Sequence, residues 1–126
     1  MVDQARREEM KKYQAERSTF RRSRGIVSKT AWILAAEQEE FRKVTDRFTE
    51  HARLVEAVTG GTRMDATEIV RIINTHRLPY DPGDLIFLSR VSEELSIRPT
   101  TLPVIERRAR AIIEAYQLPV AFEDLL

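Results

Sequence analysis

The chain contains no cysteine, which excludes disulfide frameworks, thiolate metal sites and cysteine nucleophiles at once. Four glycines and five prolines in 126 residues are too few for a turn-dense β-sandwich. No apolar run approaches the roughly 18–20 residues that cross a bilayer. The opening Met-Val-Asp-Gln, followed by charges, lacks the apolar stretch of a secretory leader, and Asp3, Glu8, Glu9 and Glu16 speak against a transit peptide. A cytoplasmic protein without a membrane span is the expectation.

What is present favours helices. Ala, Glu, Arg, Leu and Ile are abundant, with apolar residues at 42% and charged residues at 33%, a composition suited to one modest, soluble core. The net charge of +1 hides a segregation. Residues 1–30 carry nine Lys or Arg against four Asp or Glu, whereas residues 31–126 carry twelve against sixteen. Like charges held together gain little from burial, so residues 1–25 read as a basic arm directed outward and residues 26–126 as a single helical domain.

Within the arm, Met10, Tyr13 and Phe20 form a thin apolar stripe, a candidate partner-binding face. Around it lie Arg7, Lys11, Lys12, Arg21, Arg22 and Arg24, candidates for phosphate contacts that weaken as salt rises. A protein surface and a membrane surface are the alternatives for this arm. Gly25 ends the pattern.

The clearest periodicity spans about 30–58. Leu34, Phe41, Phe48 and Val55 recur every seven residues, and Val44, His51 and Val58 follow three beyond the last three of them. This seam predicts a long helix covered by the later helices, with self-association as the alternative, and Phe48→Asp is expected to unfold the body. Thr59-Gly60-Gly61-Thr62 stops the helix. Asp65-Ala66-Thr67-Glu68 has capping-box spacing ahead of an apolar helix that ends near His76. A third core helix is expected over about 84–95, burying Leu85, Leu88, Val91 and Leu95. A fourth, over about 100–117, carries Leu102, Ile105, Ala109, Ile112 and Tyr116 in register, with Pro103 in its first turn. Val120 to Leu126 make a tail of one further turn. No internal repeat is read. The expected fold is therefore all-α, a long helix with three shorter core helices and a basic N-terminal helix.

The stretch from Val91 to Ile105 resembles the helix-turn-helix of bacterial repressors. The resemblance implies that Val91 and Leu95 face inward, that Ile97 packs the turn, and that Thr101, Leu102 and Ile105 start and anchor a recognition helix. Arg98, Arg107, Arg108 and Arg110 would then contact phosphates or bases.

Other constellations carry less chemistry. His51 lies on the apolar seam and His76 near a helix end, and no ligand spacing joins them, so no metal is expected. Ser89, Ser92 and Ser96 lack a nucleophile elbow, and Thr59-Gly60-Gly61-Thr62 lacks the Lys of a phosphate loop. Glu37, Glu39, Glu40, Asp46 and Glu50 alternate with Arg42, Lys43 and Arg47, the pattern of a solvated, ion-paired face. No cofactor or small-molecule substrate is evident, and no enzymatic activity is expected. The favoured expectation is a non-enzymatic accessory or regulatory subunit, acting through a protein partner or as a homo-oligomer, whose basic helix contacts nucleic acid in a larger assembly. A helix-turn-helix DNA-binding regulator, built on helices at about 84–95 and 100–117, is the alternative.

Overall fold

The computed structural model describes residues 4–126; the charge read at Asp3 lies outside the described residues. Among those residues the fold is all-α, with helices α1 (Gln4–Ser23), α2 (Gln38–Val58), α3 (Ala66–His76), α4 (Pro82–Ser89), α5 (Val91–Ile97) and α6 (Leu102–Tyr116), and short 3-10 turns at Ala35–Glu37, Pro99–Thr101 and Phe122–Leu125.

The core is built almost wholly from the second half of the chain. Leu54 and Val58 of α2 meet Ile69, Ile72 and Ile73 of α3, Leu85 and Leu88 of α4, Val91 of α5, and Ile105, Ala109 and Ile112 of α6. Leu78, Leu118, Phe122 and Leu125 close the core from the loops and tail. The run Leu85-Ile86-Phe87-Leu88 gives α4 no polar face, so it is surrounded, touching α2, α3, α5 and α6.

Three expectations need correction. First, the long helix begins at Gln38 and not near 30. Residues 27–34 are exposed, and Leu34 has extended dihedrals of −71° and 138°. Val27, Thr30, Trp32 and Ile33 are poor helix formers, and nothing among the described residues covers them to make up the difference. Second, the helix expected over 84–95 is two helices. Asp81 caps α4 by accepting hydrogen bonds from the Gly83 and Asp84 N–H groups at 2.8 and 3.3 Å, with Pro82 at its first position. The break falls at Arg90, where the Ser89 hydroxyl donates back to the Ile86 carbonyl at 2.7 Å and the Arg90 N–H donates to Phe87. The bend turns Val91 fully into the core. Third, the heptad seam is buried only at its end. Phe41, Val44 and Phe48 are 38%, 51% and 61% exposed, so Phe48→Asp is no longer expected to unfold the body. Leu54, which the seven-residue spacing passed over, is the α2 residue at the centre of the core.

A repeat escaped the sequence reading. Residues 72–85 and 112–125 agree at six of fourteen positions, Ile-Ile, Leu-Pro and Asp-Leu in each copy. Each copy ends a helix with a left-handed residue, Arg77 (φ 50°) or Gln117 (φ 52°). The following leucine N–H then reaches back five residues, Leu78 to Ile73 and Leu118 to Ile113, both at 3.0 Å. Both leucines are buried, the proline prevents the helix from continuing, and Leu85 or Leu125 returns to the core one turn later. One supersecondary device thus terminates α3 and α6.

Candidate interaction surfaces

Among the described residues, α1 is fastened to the body through its last two turns, by side chains. Glu56 of α2 is 4% exposed and accepts hydrogen bonds from Arg17 at 2.8 Å and Arg21 at 3.2 Å. Phe20 lies between these arginines in sequence and packs against Gly61, where an added Cβ would stand 2.4 Å from the Phe20 ring. Arg24 lies over the Phe20 ring at 4.5 Å and donates to the Thr59 carbonyl at 3.4 Å. The glycines that stop α2 therefore also clear the ground on which α1 docks. That pairing was the available signal for Glu56, which sequence reasoning did not single out.

The arm residues divide accordingly. Arg21 and Arg24 are engaged within the chain, and Phe20 covers Gly61. Arg7, Lys11, Lys12 and Arg22 are exposed and make no ion pair among the described residues; Met10 and Tyr13 are exposed as well. At 100° per residue Arg7, Lys11 and Arg22 fall within about 60° of one another on α1, farthest from Phe20 and adjoining the docked residues at Arg21, which lies about 40° from Arg7. An open cleft of about 400 Å³ beside the junction is lined by Arg17, Arg21, Arg53 and Arg63, but Glu56, Asp65 and Glu68 stand in it too. Its positive charge is answered from within, since Glu56 takes Arg17 and Arg21 while Glu68 takes Arg53.

On the first turns of α2 the situation is reversed. Residues 38–44 are exposed on every side, and Phe41, Val44 and Phe48 form an apolar stripe with no cover. Trp32, Ile33 and Leu34, also exposed, stand just ahead of it. Farther along, the same helix is held tightly. His51 Nε2 lies 2.6 Å from the Tyr80 hydroxyl, Tyr80 stacks edge-on to Tyr116 at 5.2 Å, and the Tyr116 hydroxyl donates to Asp84 at 2.9 Å and accepts from the Asp81 N–H. Burial, with lesser contributions from Arg47 and His76, holds the His51 imidazole below the usual histidine range. Glu50 accepts from Arg71 at 2.5 Å and pairs with His76 at 2.8 Å, and these contacts hold its carboxyl below the usual range.

The α5–α6 corner keeps part of the expected pattern. Val91 and Ile105 are buried and Leu95 is half-buried. Ile97 is 70% exposed and does not pack the turn, and Leu102 is exposed as well, because the residues joining the helices wind into a 3-10 turn at Pro99–Thr101. The Thr101 hydroxyl donates back to Arg98 at 2.7 Å and caps no N–H of α6. Among the four arginines, Arg108 lies 4.1 Å over the Phe87 ring and Arg110 is held by Glu106 and Glu123. Arg98 and Arg107 are exposed without an ion pair among the described residues. The structure thus spreads the ten basic candidates over two separate regions, and half of the α5–α6 set is occupied within the chain.

No helix among the described residues is long and apolar enough to cross a membrane. No protein-family model, curated protein or solved structure matches this chain.

Proposed function

We propose that this protein is a non-enzymatic accessory subunit that works through helix-mediated association, with the basic N-terminal helix directed at nucleic acid. The observation that carries the reading is the divided use of α1. The last two turns are anchored to buried Glu56 through Arg17 and Arg21, while Arg7, Lys11 and Arg22 stay exposed beside them without an ion pair among the described residues. A docked helix with an unanswered cationic side is a preorganised phosphate binder, and its contacts read charge and not sequence. The bare face of α2 supplies the association surface.

Fluorescence anisotropy with a mixed-sequence DNA duplex at rising salt tests this reading. The expected result is sequence-indifferent binding that weakens steeply with salt, is cut by Arg7→Glu with Lys11→Glu, and ignores Arg107→Ala with Arg108→Ala. Sequence-selective binding lost only in the Arg107 and Arg108 variants would instead favour the helix-turn-helix regulator. No binding in low salt would remove nucleic acid from the account.

A further inference from the structure

Resting on the association reading above, we propose that the first three turns of α2 pair with the same turns of a second copy of this chain, antiparallel, about a two-fold axis near Arg42 and Lys43. Three observations point to a second copy as the occupant of this face.

The stripe has the spacing of a helix-pairing seam. Phe41, Val44 and Phe48 follow one another at three and four residues, and all three are exposed along a segment that the body does not cover. In an antiparallel pair Phe41 of each chain lies beside Val44 of the second copy, so the small side chain makes room for the large one.

Charge selects both the partner and the direction. Glu40 and Arg47 lie on one flank of the seam, one heptad apart and opposite in sign. Neither forms an ion pair among the described residues, although Arg42, Arg53, Arg71 and Arg110 all do. In an antiparallel pair this flank meets the same flank of the second copy, so Glu40 faces the other chain's Arg47, and the contact is made twice. In a parallel pair it would meet the opposite flank, where Gln38, Thr45 and Ala52 carry no charge.

The position of the body favours this direction. The buried residues of α2 are Leu54, Glu56, Ala57 and Val58, all at its C-terminal end. Antiparallel pairing sets the two bodies at opposite ends of the shared segment, whereas parallel pairing would crowd them together at one end. The assembly would then carry two cationic α1 helices, and two linked weak phosphate contacts bind far more tightly than one.

Sedimentation equilibrium on the full chain, from low to high micromolar concentration, tests the proposal. The expected result is a reversible monomer–dimer equilibrium. Phe48→Asp should be monomeric throughout with an unchanged helical circular-dichroism spectrum. Glu40→Arg and Arg47→Glu should each weaken the dimer by about tenfold at low salt, and the double exchange should restore it. A wild-type chain that is monomeric at every concentration overturns the proposal, as does a dimer indifferent to Phe48→Asp. A double exchange as weak as either single variant overturns the antiparallel register. Should Phe48→Asp lose its helical spectrum, the charge exchange, confined to exposed side chains, decides alone. A monomer that still binds duplex DNA would overturn the pairing and leave the proposed function standing; a dimer that ignores nucleic acid would do the reverse.

Discussion

The two halves of α2 share one helix and one heptad pattern but have different surroundings. From Leu54 onward the helix is enclosed by α3, α4 and α1, and even a carboxylate, Glu56, is buried there because two arginines reach it. Before His51 the same kind of residue, Phe or Val at seam positions, faces solvent. Periodicity therefore shows that a helix has an apolar side; it does not say whether the cover comes from the same chain or from another one. The segment that continues past the body with the seam intact is the surface for which association is proposed.

The largest expected effect is at the closed end. Leu54→Ala removes a fully buried side chain at the junction of α2, α3 and α4 and should cost about 2–5 kcal/mol in urea unfolding. Leu54→Asp should leave no folded body. The matching change at the open end, Phe48→Asp, should alter stability by no more than about 0.5 kcal/mol when measured in dilute solution, where association does not contribute. Equal losses at both positions would erase the distinction between the halves.

An intermediate effect belongs to the α1 junction. Gly61→Ala places a Cβ 2.7 Å from Glu56 Cγ and 2.9 Å from the Glu56 carbonyl oxygen as well as into Phe20. Since the backbone oxygen cannot move aside cheaply, the variant should release α1, costing about 1–3 kcal/mol and speeding amide exchange in residues 17–24. Glu56→Ala should free the same residues by leaving Arg17 and Arg21 unpaired. Slow exchange there in both variants would mean that α1 is held by something other than this junction.

The smallest effect is a pH dependence centred on the boundary between the halves. His51 is held below its ordinary pKa of about 6.5 chiefly by burial, so the unfolded chain takes up this proton at higher pH than the folded one. Its contribution is complete above about pH 6.5 and is lost as pH falls through the folded value. Glu50, lowered by Arg71 and His76, adds a second loss at more acid pH, as its carboxylate is protonated. His51→Gln should remove the first loss and keep the second in urea midpoints measured from pH 8 to pH 4; an unchanged first step would show that another group is responsible.

Much of this was legible in residues, and the remainder was not for physical reasons. The cap at Asp65, which accepts from the Glu68 N–H at 2.8 Å, and the stop at the Gly60-Gly61 pair are local rules that need no tertiary knowledge. The break at Arg90 was hidden because Leu85, Leu88, Val91 and Leu95 keep helical spacing across it, while the cause is a hydroxyl, Ser89, turned back on its own turn. The start of α2 was placed too early because Leu34 fits the heptad, and fitting a pattern does not repay the cost of ordering residues that pack on nothing. At the surfaces, the sequence marked the basic residues correctly as exposed on α1 at Arg7, Lys11, Lys12 and Arg22, but charge alone could not separate these from Arg21 and Arg24. That separation depends on Glu56 and Gly61, about 35 to 40 residues away in the chain.

Native-state hydrogen exchange along α2, in dilute solution and again in concentrated solution, addresses the division of this helix most directly. In dilute solution the amides of residues 52–58 should exchange only on global unfolding, while those of residues 42–49 exchange much faster; concentration should slow the second group and leave the first unchanged. Uniform protection from one end of α2 to the other in dilute solution would contradict the account.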